Sequence, residues 1–291
     1  MTLETKSQNL IFKLGINIVD DVASALAEDI KDGDLSANLI DEQIQAVARI
    51  ICRDEAIICG RPWAEEAFYA LNPHSTITWF VDEGAKCQKN DVIFEVSGSA
   101  RALLSAERTA LNFMQLLSGV ATKTARFVEA VAGTKAQIVD TRKTLPLLRL
   151  AQKYAVNIGG GVNHRIGLYD VILLKENHIA AAGSVTQALQ HAFKFAAKAK
   201  FIMIEVETLA QLDEALNSGV KFILLDNMNY ATISDAVSLN KNRAVLEVSG
   251  GVNLETVRAY ANTGIDRISI GALTKDVKAT DFSMRFIKET R

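Results

Sequence analysis

From Gly133 onward the chain alternates between short apolar runs and longer amphipathic ones. The apolar runs are Gln137–Asp140, Val171–Lys175, Phe201–Val206, Phe222–Asp226, Ala244–Val248 and Arg267–Ile270. Between them, helical spacing marks Leu145–Val156 (capped by Thr144), Ser184–Lys198, Thr208–Asn217, Tyr230–Leu239 and Leu254–Asn262. Parallel strands need a crossover of a dozen or more residues, so this texture predicts βα units on a parallel sheet. Six such strands within roughly 140 residues favour a barrel or near-barrel over an open sheet.

The part before Ala110 is mixed. Gly15–Lys31 places Ile16, Val19, Ala23, Leu26 and Ile30 on one predicted helical face. Ile44–Cys52, Ala56–Cys59, Thr76–Val81 and Val92–Val96 read as strands, and Pro62 opens a helix through Leu71. This half predicts a small α+β domain. A long helix from about Ser105 to Ala132 joins it to the barrel.

Composition narrows the function. Lys and Arg number 32 against 34 Asp and Glu, which excludes a bulk electrostatic nucleic-acid binder. Cys52, Cys59 and Cys87 are odd in number and lack CxxC spacing, so they predict free buried thiols rather than a disulfide scaffold or zinc site. The N-terminal residues show no signal-peptide pattern. The longest uncharged apolar stretch, near Thr109–Thr122, is too short to cross a bilayer. A cytoplasmic protein without membrane or nucleic-acid partners is expected.

Each apolar run ends in a chemically potent group. Asp140-Thr141-Arg142-Lys143, Lys175-Glu176-Asn177-His178, Glu205 with Glu207, Asp226-Asn227, Ser249-Gly250-Gly251 and Gly271 follow the six strands in turn. In parallel α/β folds the loops at the carboxyl ends of strands converge, so six such ends predict one rim. One side of that rim is cationic: Arg142, Lys143, Arg165 and Lys175, with His164 beside them. Cations gathered in a low-dielectric mouth require an anion, and arginine's planar fork suits carboxylates and phosphates. The other side is anionic. Glu205 and Asp226 could hold magnesium, bind sugar hydroxyls or stabilise developing positive charge, with Glu207 as an alternative to Glu205. The backbone N–H groups of the Ser249–Gly251 loop and of Gly271 could cradle a phosphate, although Gly250-Gly251 also reads as a plain turn. Asp140 could serve only to orient Arg142, and His178 and His191 read as structural.

These segments carry a family resemblance. Glu107–Asn112, Asp140–Thr144, Gly159–Gly161 with Asn163-His164-Arg165, Lys175–His178, Glu205–Glu207, Leu225–Asn227 and Ser249–Gly251 together resemble the quinolinate phosphoribosyltransferase family. Leu147 departs from the pattern where a glycine is expected, in what reads as the start of a helix. The resemblance implies an α/β protein with an N-terminal α+β open sandwich (1–112) and an incomplete barrel of seven βα units (113–275). A C-terminal segment (276–291) would pack back on the N-terminal domain. It implies transfer of a phosphoribosyl group from phosphoribosyl pyrophosphate to the ring nitrogen of quinolinate, with decarboxylation, as in de novo NAD biosynthesis. Mg²⁺ would be required and no organic cofactor. A homodimer would supply Arg108 of one subunit to the other's site. Lys143, Glu205 and Asp226 would be the catalytic group, the latter two also meeting the metal. Arg108, Thr141, Arg142, Lys143, His164, Arg165, Lys175, Glu205, Asp226, Ser249, Gly250, Gly251 and Gly271 would bind substrates. The competing expectations are a related transferase for another aromatic acid, a barrel lyase using Lys175 or Lys143 as a Schiff base, and a non-catalytic phosphate-binding scaffold.

Overall fold

A computed structural model describes residues 3–290 and the side chains of residues 7–287. The chain begins with helices α1 (Leu3–Leu14) and α2 (Ile18–Ile30), then β1 (Gln45–Cys52), β2 (Ala56–Ile57), α3 (Arg61–Leu71), β3 (Thr76–Trp79), β4 (Lys86–Cys87) and β5 (Val92–Ser99). The long helix α4 (Ala100–Ala130) follows. The alternating part comprises β6 (Gln137–Val139), α5 (Arg149–Ile158), β7 (Ile172–Leu174), α6 (Glu176–Ala182), α7 (Val185–Phe193), β8 (Ile202–Val206) and α8 (Leu209–Asn217). It continues through β9 (Phe222–Leu225), α9 (Tyr230–Asn240), β10 (Val245–Ser249), α10 (Val257–Asn262), β11 (Arg267–Ser269) and α11 (Ala272–Lys275) to β12 (Phe282–Thr290).

Two compact units emerge. The first contains residues up to Lys123, Leu150–Gly159 and Val277 onward; the second contains Thr124–Arg149 and Gly160–Asp276. The division falls between Lys123 and Thr124, within α4 like the boundary expected at residue 112 but about three turns further along, and α5 belongs with the first unit. In the first unit the antiparallel order is β12-β1-β5-β3, with β2 and β4 forming a separate pair. Strand β1 alternates strictly: Ala46, Ala48, Ile50 and Cys52 are buried, as one face of a half-buried strand must be. Behind it Trp63 meets Tyr154 edge-on at 5.2 Å, and both are fully buried.

The second unit is a parallel sheet of order β6-β11-β10-β9-β8-β7. A single residue, Val162, adds a parallel bridge to Val139 on the free side of β6. Among the described residues no ladder joins Val162 to β7, so the ring of strands is incomplete. Side-chain caps start the crossover helices: Ser184, Thr208 and Asn229 accept from the backbone N–H three residues on. Each such cap is worth about 1 kcal/mol.

Several local expectations are corrected. On α2 the buried residues are Val22 and Leu26, while Val19 and Ala23 are exposed. The predicted Leu145–Val156 helix starts only at Arg149, because Pro146 and Leu147 precede it and Leu147 adopts φ 64° with 99% exposure. Leu147 thus occupies a left-handed position that favours glycine, not the start of a helix. Helix α10 begins at Val257 rather than Leu254, because Asn253 Oδ1 accepts the N–H groups of Glu255 and Thr256 and turns the chain first. Helices α1 and α6 are short-range features that periodicity did not reveal.

Candidate functional site

The carboxyl ends of the parallel strands surround a cavity of about 380 Å³. Its lining includes Thr141, Arg142 and Lys143 after β6, His164 and Arg165 after the Val162 bridge, and Lys175 after β7. It also includes Glu205 on β8, Asp226 after β9, and Ser249 and Gly250 at the end of β10. The structure therefore brings together ten of the sequence-predicted side chains and loop residues. Gly271 adjoins the cavity without lining it: a Cβ placed there would lie 3.0 Å from Lys143 Cδ. Gly251 is exposed at φ 60° beside Gly250 at φ 107°, so this turn uses backbone that glycine adopts freely. Arg108 is exposed on α4 in the first unit and is not part of the cavity. Glu207 is exposed beyond β8 and gives its backbone N–H to Gln211, which leaves Glu205 as the carboxylate of the pair inside.

The cationic wall is built by specific anchors. Asp140, fully buried, accepts the His164 backbone N–H at 2.8 Å and the Asn163 side-chain amide at 2.7 Å. It holds the Asn163–Arg165 loop against the end of β6. Lys143 is fixed through its backbone, which donates to Thr141 Oγ1 at 3.1 Å and accepts from Thr274 Oγ1 at 2.7 Å. The buried Nε of Arg142 has no hydrogen-bond partner. Burial first, and the neighbouring Arg142 charge second, lower the proton affinity of Arg165. Two guanidinium groups thus share a partly desolvated wall, and one retains an unanswered donor, an arrangement that an incoming anion would relieve.

Where the cations meet the carboxylates, Glu205 Oε2 lies 3.2 Å from Lys175 Nζ. Burial raises the Glu205 pKa despite Lys175, and Asp226 pushes it further in the same direction. Lys175 is also the residue before α6, and its backbone N–H donates to His178 Nδ1 at 3.0 Å, so His178 is structural. Asp226 accepts from the Asn227 side-chain amide at 3.2 Å.

The floor holds residues that motif reading missed: Leu173, Leu224, Glu247 and Ser269. Glu247 interrupts the apolar run Ala244–Val248, and Arg267-Ile268-Ser269-Ile270 alternates polar and apolar residues. Both were signals of polar side chains inside the ring of strands. A larger cleft of about 550 Å³ lies outside β7 against α6 and α7, but its lining is mostly aliphatic and aromatic and includes none of the strand-end carboxylates.

Among the described residues no three His, Cys, Asp or Glu side chains gather as a metal-binding group. Glu205 and Asp226 form a two-carboxylate set, which fits a magnesium ion that keeps waters and is carried largely by substrate phosphates. No helix among the described residues is long and apolar enough to cross a membrane.

Known proteins resemble this chain along most of its length. Profiles for the N-terminal and C-terminal domains of quinolinate phosphoribosyl transferase match residues 34–118 and 120–285. A probable nicotinate-nucleotide pyrophosphorylase [carboxylating] of Bacillus subtilis is 41% identical over 257 residues, covering 88% of this chain and 89% of that protein. The corresponding Mycobacterium leprae protein is 47% identical over 211 residues, covering 72% and 74%. The structure of the nicotinate-nucleotide pyrophosphorylase from Francisella tularensis superposes with a TM-score of 0.89 at 43% identity, covering 92% of this chain and 95% of that one. With both domain profiles matched in order and the rim residues gathered in one cavity, the chain belongs to the quinolinate phosphoribosyl transferase family.

Proposed function

We propose that the chain is a pentosyltransferase that joins quinolinate to the ribosyl group of phosphoribosyl pyrophosphate and releases carbon dioxide, as in de novo NAD biosynthesis. The observation that carries this reading is a single cavity in which a cationic wall of Arg142, Arg165 and Lys175 meets a carboxylate wall of Glu205 and Asp226, Lys175 Nζ lying 3.2 Å from Glu205 Oε2. An aromatic dianion suits the first wall and a sugar developing cationic character suits the second.

Arg142, Arg165 and Lys175 would pair the two carboxylates, with Thr141 and His164 lining the same side. Arg108, exposed on α4, would come from a second copy in a homodimer. Lys143 would meet the ribose–pyrophosphate portion, and Ser249, Gly250, Gly251 and Gly271 the 5′-phosphate. The ring nitrogen's lone pair forms the bond to the anomeric carbon as the bond to pyrophosphate breaks. Glu205 and Asp226 would hold the ribose hydroxyls and favour that oxocarbenium-like carbon electrostatically. The nitrogen becomes a pyridinium. The neighbouring carbon–carboxylate bond then breaks, carbon dioxide leaves, the electron pair stays on the ring carbon beside the positive nitrogen, and a proton is added there. The products are nicotinate mononucleotide, pyrophosphate and carbon dioxide. Magnesium at Glu205 and Asp226 would neutralise pyrophosphate charge, and no organic cofactor enters. The buried free thiols of Cys52, Cys59 and Cys87 suit a reducing compartment, so the proposal includes a cytoplasmic location.

The test is incubation of the purified protein with quinolinate, phosphoribosyl pyrophosphate and magnesium, followed by detection of nicotinate mononucleotide and carbon dioxide. Nicotinate offered instead should give no product. Turnover of nicotinate but not quinolinate would reassign the substrate, and a borohydride-trapped adduct on Lys175 or Lys143 would overturn the mechanism.

A further inference from the structure

The floor of the cavity carries a buried ionic cluster that the transfer chemistry does not use. Val245, Glu247 and Ser249 share one face of β10, and Ser249 lines the upper cavity, so Glu247 lies one layer beneath it. On neighbouring β11, Arg267 and Ser269 occupy the same layers, with Glu247 in register with Arg267. Parallel barrels fill such positions with branched apolar side chains. Here Glu247 is fully buried and Arg267 nearly so.

Glu247 is held by more than the charge of Arg267. Arg267 Nε and Glu247 Oε2 are 3.3 Å apart, yet neither atom makes an aligned hydrogen bond. A guanidinium and carboxylate built for each other meet fork to fork. The aligned donor is instead Ser269 Oγ, which gives its hydrogen to Glu247 Oε1. That same oxygen faces His164 Nε2 at 3.5 Å, a charge–dipole contact rather than an aligned hydrogen bond.

The His164 ring is equally specific. Its Nδ1 accepts the backbone N–H of Arg165 at 2.7 Å, so that nitrogen is unprotonated and the ring hydrogen sits on Nε2, toward Glu247. The side chain is 8% exposed and lies edge-on to Phe201 at 6.2 Å. Its Nδ1 thus meets the Arg165 backbone and its Nε2 faces the floor, while the residue lines the cavity. The loop is thus held from two directions. Asp140 holds Asn163 and the His164 backbone, and the imidazole holds the Arg165 peptide.

We propose that Glu247 is a positioning residue: by orienting the His164 ring from below, it fixes the Arg165 segment of the wall that receives the carboxylates of the aromatic diacid. The inference deepens the proposed function and rests on it only for the identity of the diacid. Glu247 touches no reacting atom, so its loss should weaken diacid binding and spare the ribosyl–pyrophosphate side.

Two experiments test it. In the wild-type protein, ¹⁵N-edited NMR of the histidine rings at pH 7.5 should show His164 neutral with the hydrogen on Nε2. An Nδ1–H tautomer or an imidazolium would overturn the proposal, whether or not any variant folds. The second uses Glu247→Leu combined with Arg267→Met, which removes both buried charges together. Binding of phthalate, a dianion with no ring nitrogen to ribosylate, should weaken at least tenfold, and the KM for phosphoribosyl pyrophosphate should stay within twofold. Wild-type phthalate affinity in the double variant would show that Glu247 serves only as the counter-charge of Arg267. Phthalate binding and the tautomer are read without turnover, so they stand apart from a failure of the quinolinate assignment.

Discussion

Arg142→Met separates the site's requirement for charge from its requirement for stability. The substitution keeps the aliphatic stem and removes the guanidinium. In the ligand-free protein it removes a buried Nε without a hydrogen-bond partner and a charge that adds to burial in lowering the proton affinity of Arg165. An unsatisfied buried donor costs about 1–3 kcal/mol, so the variant should be as stable as wild type or more stable by roughly 1 kcal/mol. In the proposed complex it would remove a bidentate, charge-assisted contact whose bonds are worth about 1.5–3 kcal/mol each. A loss of about 3–4 kcal/mol corresponds to a fall of roughly 10²–10³-fold in kcat/KM for quinolinate. Thermal unfolding with and without phthalate reads both halves of the expectation. Saturating phthalate at about 100 times Kd should stabilise wild type by about 2.7 kcal/mol and the variant hardly at all. A variant that melts well below wild type yet keeps its kcat/KM would refute the reasoning, because Arg142 would then be a structural cation and not part of an anion-binding wall.

Gly271→Val should raise the KM for phosphoribosyl pyrophosphate at least tenfold with little change in melting temperature, since a Cβ there meets the flexible Lys143 side chain at 3.0 Å. An unchanged KM would exclude Lys143 from that substrate's site. Leu147→Gly should stabilise the protein by up to about 1 kcal/mol in urea denaturation by relieving a left-handed, fully exposed leucine, and clear destabilisation would contradict the strain. Glu83 is buried and accepts from the Gly60 and Arg61 N–H groups and the Tyr154 hydroxyl. Burial raises its pKa above the ordinary 4.5 against those hydrogen bonds. Its contribution to stability is therefore fully present below that value and declines as pH rises through the folded-state pKa. Glu83→Gln should flatten this decline, measured as the difference in unfolding free energy between wild type and variant; parallel pH profiles would count against the assignment.

The rim was legible in the sequence because two local periodicities locate it. Alternating strand and helix textures identify a parallel βα fold, and that fold places the residue after each strand on one side. Arg142, Lys175, Glu205 and Asp226 could be nominated on that ground alone. Helix ends were less legible where side chains intervened, as at Asn253, or where φ is positive, as at Leu147. The layer beneath the rim was not legible from motifs, although Glu247 within an apolar run was a warning.

By itself the sequence determined the succession of βα units and the charges at their ends, since burial pattern and strand termination are properties of neighbouring residues. Only the tertiary structure decided that β12 would pair with β1, that Glu205 rather than Glu207 would face the cavity, and that Glu247, His164 and Arg267 would meet beneath it. Those outcomes depend on the register between strands distant along the chain and on which side chains point inside an unfinished ring, and no local pattern encodes either.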